Sequence, residues 1–218
     1  MENHAILCMA KSKIILNKGG VMREALIVLD AQQVYTDKQS EMYCKDASRT
    51  IEKINELIQQ MASRKQLVVL VRHIHRPDGS DIGRLFDYSG EAEEDFNFKE
   101  GSAEVEFDKR LVRPSNVLEL RKTRYSAFQK TILDNILKDN RIQRVIICGF
   151  MTNFCCESTA REALDRDYYV DFVIDATGTP GTDNLTQNQI RKVVSELMGA
   201  GFARVMTARK IISLWQKA

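Results

Sequence analysis

The stretch GFMTNFCCESTAREA, residues 149–163, sets two adjacent cysteines, Cys155 and Cys156, between a glycine turn and a helical pattern. A thiol at a helix N-terminus meets the positive end of the dipole and unpaired N–H groups, which favour the thiolate. Cys156 is rotated by about 100° from Cys155 round the helix, so the two cannot face one site. Cys148 lies inside an apolar run and reads as inert core. A thiol nucleophile needs a group to take its proton and a charge to steady the anion. Asp30, with Gln32 two residues on, and Lys122, inside RKTRYSAF (121–128), stand at the ends of other apolar runs and have that chemistry. A lysine beside a carboxylate and a thiolate tunes the proton affinity of both. Each residue also has an ordinary reading: a turn aspartate, a solvated lysine, a packing thiol.

The elements that would bring these residues together are strands and helices in alternation. Apolar runs occur at EALIVLD (24–30), LVVLV (67–71), NVLEL (116–120), RVIICG (144–149), YVDFVIDA (169–176) and ARVMT (203–207). Residues 46–62 carry Ile51, Ile54, Leu57, Ile58 and Met61 at helical spacing, with Asp46 or Ser48 as N-cap. Further helices are predicted near 129–139, 155–167 and 185–199. Short strands without polar alternation are buried on both faces, which implies a parallel sheet covered by helices. The prediction is an α/β, three-layer, doubly wound fold with a mostly parallel six-stranded sheet. Sites in such sheets form beyond the carboxyl ends of the strands. Residues 76–115 form a long polar connection, read as a substrate-covering or subunit-contact loop with some local structure.

The bulk numbers agree with one globular domain. The chain has 218 residues, 28% charged and 44% hydrophobic, with a formal net charge of +2. So small a charge argues against nucleic acid or an anionic membrane as partner. No apolar run nears the roughly 20 residues that span a bilayer. Five cysteines, Cys8, Cys44, Cys148, Cys155 and Cys156, have no disulfide-framework spacing, which suits a reducing cytoplasm. Residues 1–22 read as an N-terminal extension, either not native or disordered, ahead of a domain at 23–218. Lys-Gly-Gly before Met22 is how a purine-rich ribosome-binding sequence reads when translated, so synthesis is expected to begin at Met22; a genuine flexible or partner-binding arm is the alternative.

Taken jointly, LIVLDAQ (26–32), LRKTRYSAF (120–128) and IICGFMTNFCCESTAREA (146–163) resemble the isochorismatase-like cysteine hydrolase family. The family pattern is an Asp ending the first strand, a Lys followed by Tyr-Ser-Ala-Phe, and Gly-x-x-Thr-x-x-Cys before a helix; Gly149, Thr152 and Cys155 hold that last spacing. RHIHRPDGSD (72–81) is similar to a stretch found in many members. The resemblance runs from about residue 23 to the C-terminus. It implies Cys155 as nucleophile, Asp30 as general acid and base, and Lys122 as the third member, with Cys156 a packing thiol. It also implies a cis peptide bond between Phe150 and Met151, turning the Met151 N–H beside that of Cys155 as an oxyanion hole. Gln32, His73, His75, Arg124, Tyr125 and Phe128 are the candidate substrate contacts.

The expected reaction is hydrolysis of a small non-peptide amide through a thioester, releasing ammonia or an amine. Vinyl-ether hydrolysis of the isochorismatase type needs no thiol and is the alternative, as is a catalytically idle binding protein. Nicotinamidase-type members hold a divalent metal through Asp-x-His and a further His. Here only His73 and His75 lie in the core domain, with His4 in the extension, and Asp78 or Asp81 as helpers. No metal and no cofactor are therefore expected. Arg72, Arg84 and Arg124 could meet a carboxylate-bearing substrate. A dinucleotide-binding reading fails for want of G-x-G-x-x-G after the first strand. Thr177–Gly181 reads as a turn near the site mouth or a subunit contact. The resemblance implies a homo-oligomer, a dimer or tetramer, and a small-molecule substrate.

Overall fold

The computed structural model of the chain describes residues 22–85 and 96–217. The extension expected at 1–22 lies, up to residue 21, outside the described residues. Six strands form one sheet: β1 (Glu24–Leu29), β2 (Leu67–His73), β3 (Leu118–Lys122), β4 (Arg144–Phe150), β5 (Tyr169–Gly178) and β6 (Arg204–Met206). Their spatial order is β3-β2-β1-β4-β5-β6, and every pairing is parallel. The central strand β1 is buried along its whole length, as a run without polar alternation requires.

Alternate residues of each strand feed two cores. Leu26, Val28 and Leu70 pack with Ile51, Ile54, Leu57 and Ile58 of α2 (Ala47–Ser63) and with Ile211 and Trp215 of α6 (Ala208–Trp215). Ala25, Ile27, Leu29, Val69 and Val71 pack on the other face with Leu133 and Leu137 of α3 (Leu133–Asp139), Ala160 of α4 (Glu157–Asp165) and Val194 of α5 (Gln187–Gly201). A short helix, α1 (Gln33–Thr36), follows β1. The fold is thus three-layered and doubly wound. No described helix is long and apolar enough to cross a membrane.

Several boundaries move. β3 starts two residues after the predicted run and ends on Lys122, because it is an edge strand with exposed Leu118, Glu119 and Arg121 rather than a buried apolar one. The helix predicted over 129–139 begins at Leu133, after turns through Lys130. Asp46 does stand at the N-cap of α2, but in a left-handed conformation (φ 66°) and without a side-chain cap bond, and Ser48 lies inside the first turn. α6 is an additional helix. The long connection carries a 3₁₀ turn at Ala103–Val105 and two isolated bridges, Gln32 to Phe107 and His75 to Lys99.

The chain runs outward from β1 to β3, then returns to lay β4 on the other side of β1. Connections leaving β1 and β4 diverge to opposite faces, opening the crevice where α/β sheets bind ligands. Leu29 pairs with Gly149 at that crevice, and Gly149 has φ 118°. A Cβ on Gly149 would stand 1.9 Å from the Leu29 carbonyl oxygen, so the approach of β4 to β1 depends on glycine.

Candidate active site

Three strand ends converge on this crevice. Asp30 follows β1 in a left-handed backbone conformation (φ 49°), its N–H held by Val71 O at 2.9 Å. Lys122 closes β3, and Cys155 follows β4; all three are buried, at 0%, 1% and 2% exposure. Lys122 is two strands from Asp30, and its long side chain bridges the gap. Its Nζ donates to Cys155 Sγ at 3.2 Å and to Arg124 O at 3.0 Å. The same nitrogen forms an ion pair with Asp30 Oδ2 at 2.9 Å.

The charges follow from burial and from one another. Burial raises the Asp30 carboxyl above its usual value, against the pull of Lys122. Burial opposes the Lys122 ammonium too, but Asp30 and Cys155 outweigh it and hold its pKa up. Burial pushes the Cys155 thiol up to about 12, with Lys122 drawing it down and Asp30 raising it further. The helix-terminus effect that favours a thiolate is thus opposed by burial, and Cys155 is assigned as a resting thiol beside Lys122 and Asp30.

Cys155 lies within a π-helical turn, Thr152–Cys156, that precedes α4 rather than opening it. Phe154 N–H and Cys156 N–H both donate to Met151 O, at 3.2 and 3.1 Å, which closes the turn. Thr152 Oγ1 donates to Thr177 Oγ1 at 2.9 Å, tying the turn to the end of β5. The Phe150–Met151 peptide bond is cis, as the resemblance implied. Cys156 is fully buried in the core with Ala160 and Ile147, so the two adjacent thiols are not equivalent.

The expected substrate contacts divide. Gln32 is committed to the backbone: Nε2 donates to His73 O (3.0 Å) and Val105 O (2.8 Å), and Oε1 accepts from His73 N–H (2.8 Å). Phe128 stacks against Tyr168 within the second core (centroids 6.1 Å), where Tyr168 leads into β5 at the far end of the sheet. Arg124 donates to Asp81 O (2.7 Å) and Thr123 O (2.6 Å), and Arg72 pairs with Glu106 and Glu119. Tyr125 is half-buried against Phe154, centroids 5.3 Å apart. His73 and His75 are buried, with Nε2 atoms 2.9 Å apart. Tyr35 and Phe98 were not anticipated. Tyr35 stacks on Phe150, and Phe98 lies flat on His73 with centroids 4.5 Å apart. Tyr35 comes from the short helix α1 and Phe98 from the long connection, so only the fold brings them in.

A ligand atom from each of Asp30, His73 and Cys155 lies within 4.8 Å of the other two. That trio does not fit a metal ion, because the Lys122 ammonium already stands against both the carboxylate and the thiol. Asp78 accepts from Ser80 N–H and Asp81 from Arg76 N–H, both within their own loop. His4 lies outside the described residues.

Fold and site together define a doubly wound parallel α/β protein with a buried carboxylate–ammonium–thiol cluster at the sheet's switch point. The chain belongs to the isochorismatase family: the Isochorismatase domain model matches residues 24–210. A stretch of 74 residues is 43% identical to Nicotinamidase 3 of Arabidopsis thaliana, covering 34% of this chain and 36% of that protein. Over 74 residues it is 36% identical to the ureidoacrylate amidohydrolase RutB of Methylorubrum extorquens, covering 34% of this chain and 30% of the relative. The matched stretches thus span about a third of those relatives. A cysteine hydrolase from Pseudomonas syringae pv. phaseolicola 1448A superposes with a TM-score of 0.83 at 28% identity, over 89% of this chain and 93% of that one.

Proposed function

We propose that the protein is a cysteine hydrolase that cleaves a small non-peptide amide through a thioester on Cys155. The observation that carries this reading is the contact of one buried ammonium, Lys122, with both the Asp30 carboxylate (2.9 Å) and the Cys155 thiol (3.2 Å). Vinyl-ether hydrolysis has no use for the thiol. The relatives' names, nicotinamidase and ureidoacrylate amidohydrolase, support the amide reading.

In the first step Asp30 takes the Cys155 proton as Sγ bonds to the acyl carbon. The raised proton affinity of Asp30 suits it to this task, and Lys122 stays protonated and offsets the negative charge throughout. The carbonyl oxygen becomes an oxyanion held by the N–H groups of Met151 and Cys155. Collapse of the tetrahedral adduct breaks the C–N bond, and Asp30 returns its proton to the departing nitrogen. Water then gives a proton to Asp30 and its oxygen to the thioester carbon. The second collapse releases the acid, and the Asp30 proton restores the thiol.

A panel of small primary amides, assayed for ammonia release, tests this. Cys155→Ala is expected to lower turnover of any active amide by at least about 10⁴-fold. Retention of wild-type turnover would refute the reading. The same assay across pH has a signed expectation. Asp30 must be a carboxylate, and burial raises its pKa, so kcat/KM rises with pH on a limb above the ordinary value of about 4. With the thiol near 12 and the Lys122 pKa raised, kcat/KM then stays flat beyond pH 9. A limb between about pH 8 and 9, where an ordinary thiol titrates, would contradict the assigned resting state.

A further inference from the structure

A chain of three side chains runs from the surface to the thiol. Asp81 Oδ1 lies 3.2 Å from His75 Nδ1, and His75 Nε2 lies 2.9 Å from His73 Nε2. His73 Nδ1 is buried and has no hydrogen-bond partner among the described residues. A ring nitrogen of His73 is within 4.8 Å of Cys155 Sγ and of an Asp30 oxygen. The His73 ring cannot turn away, since Phe98 covers its face and Gln32 holds its backbone on both sides.

Proton counting fixes this chain. A neutral imidazole carries one N–H, and a carboxylate only accepts. His75 therefore has its proton on Nδ1, toward Asp81. Its Nε2 is then a lone pair, so the 2.9 Å contact requires the proton of His73 on Nε2. That leaves His73 Nδ1 bare. Both rings are neutral at pH 7: burial lowers the pKa of each, and Lys122 and Arg124 lower both further. Asp81 raises that of His75 without reversing the direction. The outer end is held by Arg76 N–H on Asp81 Oδ1 and by Arg121, 3.7 Å from Oδ2.

We infer that His73 Nδ1 accepts an N–H of the substrate's scissile carboxamide, and that Asp81 and His75 are positioning residues that fix its tautomer. The inference rests on the cysteine-hydrolase reading and adds a residue that tells an amide from an ester. With the carbonyl carbon on Cys155 and its oxygen on the backbone N–H groups, the nitrogen lies toward Asp30 and His73. One N–H faces the carboxylate and the other the bare imidazole nitrogen. An ester of the same acid leaves the buried acceptor unmatched.

The test has a direct and a kinetic arm. Long-range ¹H–¹⁵N correlation on the full chain with ¹⁵N-labelled histidine reads each tautomer at pH 7. The expected pattern is His75 protonated at Nδ1 and His73 at Nε2; a proton on His73 Nδ1 overturns the inference. In the kinetic arm, a primary amide turned over by the wild type is compared with the methyl ester of the same acid. His73→Leu is expected to lower kcat/KM for the amide by at least about tenfold and to change the ester less than about threefold. Asp81→Asn, at the outer end of the chain, keeps His73 in place and is expected to shift the amide-to-ester ratio in the same direction. Equal losses for amide and ester in both variants overturn the inference and leave the nucleophile untouched. Hydrolysis of both compounds that survives Cys155→Ala instead overturns the cysteine-hydrolase reading, and the substrate assignment with it.

Discussion

Lys122→Met is expected to destabilise the protein by about 3–5 kcal/mol at neutral pH and to abolish turnover. Methionine matches the length of the lysine stem but carries no charge. Asp30, with no exposure at all, would lose the cation 2.9 Å from its carboxylate and keep only its desolvation. The pH dependence carries a definite sign. Asp30 in this variant has a folded-state pKa still further above its unfolded value of about 4, so the native state binds the proton more tightly. The stability contributed by that protonated form is complete below the unfolded pKa and is lost as pH rises through the folded one. Urea denaturation should therefore find the deficit small near pH 4 and growing toward pH 7. Adding Asp30→Asn should recover most of the stability and none of the activity, because the charge that needed a partner is gone along with the base. A Lys122→Met protein as stable as wild type at pH 7 would mean that Asp30 is not charged beside it.

Gly149→Ala is the second large effect. The added Cβ would stand 1.9 Å from Leu29 O and 2.7 Å from Leu29 C, both backbone atoms of the central strand. No rotamer relieves such a collision, so β4 must move away from β1 at the place where Asp30 and the Cys155 turn leave the sheet. A cost above about 4 kcal/mol, exceptional for one methyl group, is expected from urea denaturation. Gly101→Ala is the control: φ is also positive, at 89°, but nothing lies within 4 Å of the added atom. It should cost about 1–2 kcal/mol, the backbone term alone. Equal losses for the two variants would remove the collision from the explanation.

The parallel sheet was readable because β1, β2, β4 and most of β5 are apolar without alternation, which only two-sided burial explains. β3 was displaced by two residues because an edge strand exposes Leu118, Glu119 and Arg121 and has no such pattern. α6 went unpredicted although Ala208, Ile211 and Trp215 recur at helical spacing and Thr207 caps it; its shortness hid the period. Within the site, Asp30, Lys122 and Cys155 were legible through their joint motifs. The contacts of Gln32 and Phe128 were not legible, since their partners, Val105 for the one and Tyr168 for the other, are remote in the chain. The burial of Cys155 was hidden for a related reason. A helix terminus is visible in a sequence, whereas the desolvation that raises the thiol to about 12 comes from neighbours drawn from several strands. The His73–His75 pair was visible as H-x-H, but the direction of its protons depends on Asp81 folding back onto His75.

On the proposed mechanism Cys155, helped by Asp30 and Lys122, carries the acyl group during turnover. Its most direct measurement is mass spectrometry of the protein quenched in acid during turnover of an active amide, followed by mapping of the peptide that contains Cys155. The acyl mass is expected on Cys155, with none on the neighbouring Cys156 and none in Cys155→Ala, which releases no ammonia. Turnover by the wild type with unmodified Cys155 and undiminished turnover by Cys155→Ala would contradict it.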